Sequence, residues 1–154
     1  MEKIKDAIRY LLSKRAFTPM VTKALYLILS DKMNSIALKQ CLMENDYTID
    51  DFKPEAIYAI LDYAEIILDD FLLTEEEIRV ISLMKIFFQI NEGDFYKYGE
   101  EDAVERILST QLEKMYEDGI DKNEAIMQND LQTLFGLSYD QFQNIVKKVE
   151  SKKW

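Results

Sequence analysis

The stretch Leu73-Thr74-Glu75-Glu76-Glu77-Ile78-Arg79-Val80-Ile81-Ser82-Leu83-Met84-Lys85-Ile86-Phe87-Phe88-Gln89-Ile90 decides the fold class. Thr74 and Glu77 stand three apart, the capping-box spacing, and the three glutamates suit the positive end of a helix dipole. Leu73 and Ile78 are placed as a hydrophobic staple over that start. Beyond it, Arg79, Ser82, Lys85 and Gln89 fall three or four apart and make one narrow polar stripe. The other positions are apolar, so the stretch predicts a central helix packed by neighbours nearly all round.

The rest of the chain reads the same way. Ile4, Ala7, Ile8, Leu11 and Leu12 have helical spacing, and Thr18-Pro19 pairs a capping hydroxyl with proline at a first helical position. Val21, Leu25, Ile28 and Leu29, then Ile36, Leu38, Leu42 and Met43, extend the pattern, with a break expected at Ser30-Asp31-Lys32. Asn45 to Thr48 reads as a loop, and Pro54 is expected to open the next helix. In that helix Ile57, Ile60, Leu61, Ala64, Ile67, Leu68 and Phe71 face inward, and Glu55, Asp62, Glu65, Asp69 and Asp70 face out. Gly93 is expected to close the central helix. Glu101 to Asp118 carries Val104, Ile107, Leu108, Leu112 and Met115 inside. Asp121 to Phe135 and Ser138 to Val149 supply the last two helices. Met33, Met43, Met84, Met115 and Met127 fall on apolar faces and read as core fillers.

With 4 Gly and 2 Pro in 154 residues there is little turn chemistry for an all-β fold, and strand alternation is not found. The expectation is all-α: a single domain, a compact bundle of about seven helices around the 74–90 helix. Cys41 is alone, the N-terminal residues lack the apolar run of a signal peptide, and no stretch has the apolar length of a membrane span. A cytoplasmic protein is expected.

Net charge is −10, unevenly spread. Residues 1–43 hold 8 Lys/Arg against 3 Asp/Glu, residues 44–124 hold 7 against 23, and residues 125–154 hold 4 against 3. The middle of the chain therefore repels nucleic acid and attracts basic partners or cations. Enzyme chemistry has little to work with: there is no His, no phosphate loop and no dinucleotide glycine pattern. The chain is expected to be a non-enzymatic binding protein requiring no cofactor.

Three features bear on what it binds. The acidic turn Glu117-Asp118-Gly119-Ile120-Asp121-Lys122-Asn123-Glu124 offers oxygens around a sharp bend, as hard cations require. It is not an EF-hand: with Gly119 as the loop glycine, Lys114 and Tyr116 take ligand positions, and Ala125 stands where the bidentate Glu belongs. Plain helix capping by Asp121 and Glu124 explains the same residues. Asn91-Glu92-Gly93-Asp94, with Glu100, Glu101 and Asp102, is a weaker echo that could share a cation if the two turns meet. The second feature is residues 122–149, two helices about Gly136. As a helix-turn-helix they would aim Ser138, Gln141, Gln143 and Asn144 at bases and Lys147 and Lys148 at phosphates. Asp140 and the acidic middle oppose this. The third is the acidic surface itself, a docking face for a basic protein as immunity proteins and inhibitors use, with Asp62, Glu65, Asp69, Tyr96 and Tyr98 as its candidate residues.

Asp118-Gly119-Ile120-Asp121-x-x-Glu124, a helix, then Phe135-Gly136-Leu137-Ser138-x-x-x-Phe142 resembles the second half of the TerB-like tellurite-resistance family, over residues 73–149 at most. The resemblance implies an all-α fold and no enzymatic activity. It also implies a stress or defence role, with weak binding of a divalent cation, Ca²⁺ or Mg²⁺, at Asp118, Asp121 and Glu124.

Overall fold

The structure, a computed structural model, describes residues 2–70, 72–117 and 130–151. Among these residues every regular element is helical and no strand forms. The elements are α1 (Glu2–Lys14), α2 (Pro19–Leu29), α3 (Ser35–Glu44), α4 (Ile49–Asp70), α5 (Glu75–Phe88), α6 (Asp94–Lys97), α7 (Glu101–Glu117) and α8 (Tyr139–Ser151), with a helical stretch at 130–134. The all-α class predicted from periodicity is the observed one. No helix among the described residues is long and apolar enough to cross a membrane.

The helices begin where short polar side chains satisfy backbone donors that have no intrahelical acceptor. Val21 N–H donates to Thr18 Oγ1 at 3.3 Å, with Pro19 following, and Ala37 N–H donates to Asn34 Oδ1 at 2.8 Å. Glu77 N–H donates to Thr74 Oγ1 at 3.4 Å. Ser138 and Gln141 form a reciprocal capping box, Gln141 N–H to Ser138 Oγ at 3.1 Å and Ser138 N–H to Gln141 Oε1 at 2.9 Å. A second box starts α4: Asp51 N–H donates to Thr48 Oγ1 at 3.1 Å, and Thr48 N–H to Asp51 Oδ2 at 3.3 Å. This corrects the expectation that Pro54 opens the helix. The box nucleates α4 before the proline, which lies inside it and leaves the Asp50 carbonyl without its usual donor.

Three helices end on residues other than glycine in the left-handed region: Asp31 (φ 61°) after α2, Asp46 (φ 56°) after α3 and Gln89 (φ 60°) after α5. In each, the next residue's N–H reaches back five residues: Lys32 to Leu27 O at 2.8 Å, Tyr47 to Leu42 O at 2.9 Å, and Ile90 to Lys85 O at 2.9 Å. These are Schellman closures. Gly93 therefore does not close the central helix as expected. Gln89 closes it first, and Gly93 (φ 83°) precedes α6 instead.

The chain gathers into two units, Met1–Ile66 with Arg79–Ile90, and Ile67–Ile78 with Asn91–Trp154. In the first, α1 packs on α2 and α2 on α3. Ile4, Ile8 and Leu11 of α1, and Val21, Leu25 and Ile28 of α2, are buried, and the Phe52 and Phe88 rings meet edge to face at 5.4 Å. Along α5, Val80, Ile81, Met84, Phe87 and Phe88 are buried, but Ile86 is 74% exposed and Arg79 of the polar stripe is exposed too, so the helix is not packed nearly all round as expected. The more enclosed segment is in α4, where every residue from Ala56 to Ala64 except Tyr58 is buried. Ala56, Ala59 and Ala64 add little bulk there and let neighbouring side chains come close.

In the second unit α6 and α8 pack on α7. Phe95 and Phe135 meet edge to face at 5.4 Å. Gly136 (φ 65°) approaches the 91–94 turn so closely that a Cβ there would lie 2.7 Å from Gly93 N. Gln111, 1% exposed, pairs with both backbone groups of buried Leu73: Leu73 N–H donates to Oε1 at 2.8 Å, and Nε2 donates to Leu73 O at 3.0 Å. Lys114 Nζ donates to Leu68 O. Two polar side chains of α7 thus satisfy backbone groups around the α4–α5 junction, where helical bonding is interrupted.

Candidate functional site

The expected cation ligands Asp118, Asp121 and Glu124 lie outside the described residues. The echo turn is described. Asn91 N–H donates to Asp94 Oδ2 at 2.7 Å, so buried Asp94 holds its own turn. Among the described residues no group of three or more Cys, Asp or Glu is placed to hold a metal ion.

The expected interaction face needs correction at Asp62, which was placed outward and is 8% exposed. Burial pushes its carboxyl up from the ordinary range, Arg15 pulls it down and Glu65 adds to the rise. It sits in the stretch of α4 that is buried on nearly all sides, so the helix has no wide polar face there. Glu65, Tyr96 and Tyr98 are half-buried and Asp69 is exposed. The Tyr96 hydroxyl is pushed up by burial first, then by Glu105 and Glu101. Lys97 Nζ lies 5.5 Å from the centre of the Tyr98 ring. Of the residues considered for base contacts, Ser138 and Gln141 form the α8 capping box, Gln143 is half-buried and Asn144 is exposed. Lys147 and Lys148 are exposed, and Lys148 lies 3.6 Å from Glu105.

Among the described residues there is a concavity that none of the expected site residues lines. In the first unit a groove of about 620 Å³ is lined by Ser35, Ile36, Lys39, Leu42 and Met43 of α3, Tyr47, Ile49 and Gln89. Helix α3 builds one wall because it has two apolar faces. Leu38 and Leu42 are four apart and buried. Ile36 and Met43 are seven apart, two turns along one line, and about 130° around the helix from the direction of Leu38 and Leu42. They are 71% and 66% exposed, which corrects the expectation that Met43 is a core filler. The seven-residue spacing was the signal for this face, and one continuous apolar pattern concealed it.

The rest of the groove is set by local bonding. The Schellman closure at Asp46 turns the chain so that Tyr47 follows α3 directly. The Tyr47 hydroxyl donates to Glu55 Oε1 at 3.4 Å, and Thr18 Oγ1 donates to the same oxygen at 2.5 Å. That bond to Glu55 is the main reason the Tyr47 hydroxyl is held above its ordinary pKa. Exposed carboxylates alternate with the lining residues: Glu44 follows Met43, Asp46 precedes Tyr47, and Asp50 follows Ile49. Cys41 is half-buried on α3, its thiol pushed up by burial and by Glu44 against a smaller opposite effect of Lys23. The groove presents apolar side chains together with Ser35, Lys39 and Gln89, and exposed Asp46 and Asp50 neighbour its Tyr47 and Ile49 in the chain, which suits it to binding.

A second concavity, about 500 Å³, lies in the other unit and is polar, lined by residues of α7 and α8 including Glu105, Ser109, Thr110 and Lys148. The Thr110 hydroxyl donates to Arg106 O and the Ser151 hydroxyl to Lys148 O, so both serve their own helices. Comparison with known proteins found no match, whether to a family model, a curated protein or a solved structure.

Proposed function

We propose that this chain is a non-enzymatic binding protein that engages a protein partner through a basic surface of that partner. The observation that supports this best is the run of exposed carboxylates at Glu44, Asp46, Asp50 and Asp51, where α3 ends and α4 begins. Charge of one sign on a surface speeds encounter with the opposite sign and selects among partners. The test is affinity capture with the full chain and with a variant carrying Glu44→Lys and Asp50→Lys, which leaves the Thr48–Asp51 capping box intact. A partner of basic surface should be held at low salt, released as salt rises, and lost by the variant. Capture indifferent to both salt and charge reversal would sink this reading.

A second reading rests on the motif Asp118-Gly119-Ile120-Asp121-x-x-Glu124 and its TerB-like resemblance. It assigns weak Ca²⁺ or Mg²⁺ binding to that turn and a role in stress or defence complexes. Calorimetry with each ion should then find a saturable site that disappears in Asp118→Asn with Asp121→Asn. No heat at millimolar ion would return these residues to helix capping.

A further inference from the structure

We propose that the groove beside the exposed stripe Ile36–Lys39–Met43 seats an amphipathic, Lys- or Arg-rich helix of a partner protein. The inference rests on the reading above that the partner is basic, and it names the place and the shape of what is bound. The groove's volume, about 620 Å³, is in the range that accepts a few side chains. A helix laid in a groove presents anchors at positions i, i+3, i+4 and i+7, the same periodicity that Ile36, Lys39 and Met43 show on their own helix. Exposed Ile36 and Met43 supply apolar contact, and the thioether of Met43 adapts to varied side chains. Lys39 adds its aliphatic stem to the wall while its charged end can stay in water. Exposed Asp46 and Asp50 are next in the chain to the lining residues Tyr47 and Ile49, where they would meet the cationic flank of such a helix; Glu44 lies round α3 toward Cys41 and adds to the negative field.

The exposed carboxylates also argue against a second copy of this chain. A symmetric pairing of groove on groove would bring these carboxylates toward one another. Among the described residues, the apolar faces of the basic amphipathic helices α1 (Ile4, Ile8, Leu11) and α8 (Phe142, Ile145, Val149) are buried within their own units.

The test uses the full chain and a fluorescent peptide of Leu and Lys, about 18 residues long so that it can form a helix, with Leu at helical spacing. Two controls are a scrambled peptide of the same composition and a version with Glu in place of Lys. Anisotropy gives affinity, and amide resonance shifts locate the site. The Leu/Lys helix should bind saturably and shift resonances across 35–49 and at Gln89. Scrambling, or Ile36→Ala with Met43→Ala, should weaken binding at least about ten-fold, since each exposed anchor contributes contact worth that order when covered. Both substitutions are at exposed positions and should leave the circular dichroism unchanged. Glu44→Lys with Asp46→Lys and Asp50→Lys should weaken binding and flatten its salt dependence. Equal affinity for the scrambled peptide, or shifts confined to other acidic segments such as 75–77 or 101–102, would overturn the groove while leaving a basic partner in place. Preference for the Glu peptide would overturn both. Self-association abolished by Ile36→Ala with Met43→Ala would give the groove to a second copy and overturn the proposal.

Discussion

Gln111→Leu should cost about 2–4 kcal/mol of stability. The side chain is 1% exposed and makes two hydrogen bonds to Leu73, one to its N–H at 2.8 Å and one to its carbonyl at 3.0 Å. Leucine fills a similar space but offers neither donor nor acceptor. Leu73 is itself fully buried, so water does not readily replace what is lost. Each buried backbone group left without a partner costs about 1–3 kcal/mol, and the gain from a larger apolar side chain offsets part of the sum. With a urea m-value near 2 kcal/mol/M, the unfolding midpoint followed by circular dichroism should fall by about 1–2 M. Amide exchange at Leu73 should accelerate more than at α8. Gln111→Glu separates the two bonds. Above the pKa of the introduced carboxyl, a carboxylate would face the Leu73 carbonyl; below it, a protonated carboxyl can donate again. Burial raises that pKa above its unfolded value, so the penalty should be full at neutral pH and shrink as pH falls through the folded-state value. A midpoint change under about 0.3 M for Gln111→Leu, with Leu73 exchange unaltered, would refute the assignment of these bonds as the tie at the α4–α5 junction.

Gln89→Gly should stabilise the chain by about 0.5–1 kcal/mol, read by chemical denaturation. The left-handed conformation costs an L-residue about 1–2 kcal/mol, and only part of that is lost to glycine's greater freedom when unfolded. Gly136→Ala should destabilise by more than about 2 kcal/mol, because the new Cβ meets Gly93 N at 2.7 Å on a backbone already at φ 65°; a smaller loss would mean the 91–94 turn can move aside. Asp62→Asn should be more stable than the parent at pH 7. The buried carboxyl titrates above its ordinary value, so its penalty is absent below the unfolded pKa of about 4 and complete above the folded one. The gap between the two proteins should therefore open as pH rises from about 4, and a gap constant with pH would remove Asp62's charge as its cause.

Much of the fold was legible because helix starts and buried stripes are local. Thr18-Pro19, Thr74-x-x-Glu77 and Ser138-x-x-Gln141 are capping patterns that need only their own backbone. Gln111 shows how a residue can be missed. It falls in register with Val104, Ile107, Leu108, Leu112 and Met115, yet its polarity argued for the surface. What admits it to the core is Leu73, 38 residues away in sequence. Pro54 misled in the opposite direction, since Thr48 and Asp51 could start α4 earlier and the helix absorbs the proline.

By itself the sequence determined the all-α class, most of the helices, the acidic middle of the chain and the absence of histidine chemistry. Each follows from composition or from spacing along one segment. The tertiary structure decided which apolar face each helix buries. It sent Leu38 and Leu42 inward and left Ile36 and Met43 on the groove, and it buried Asp62 while exposing Ile86. Periodicity defines a face but cannot say whether another helix covers it, because covering depends on residues distant in the chain.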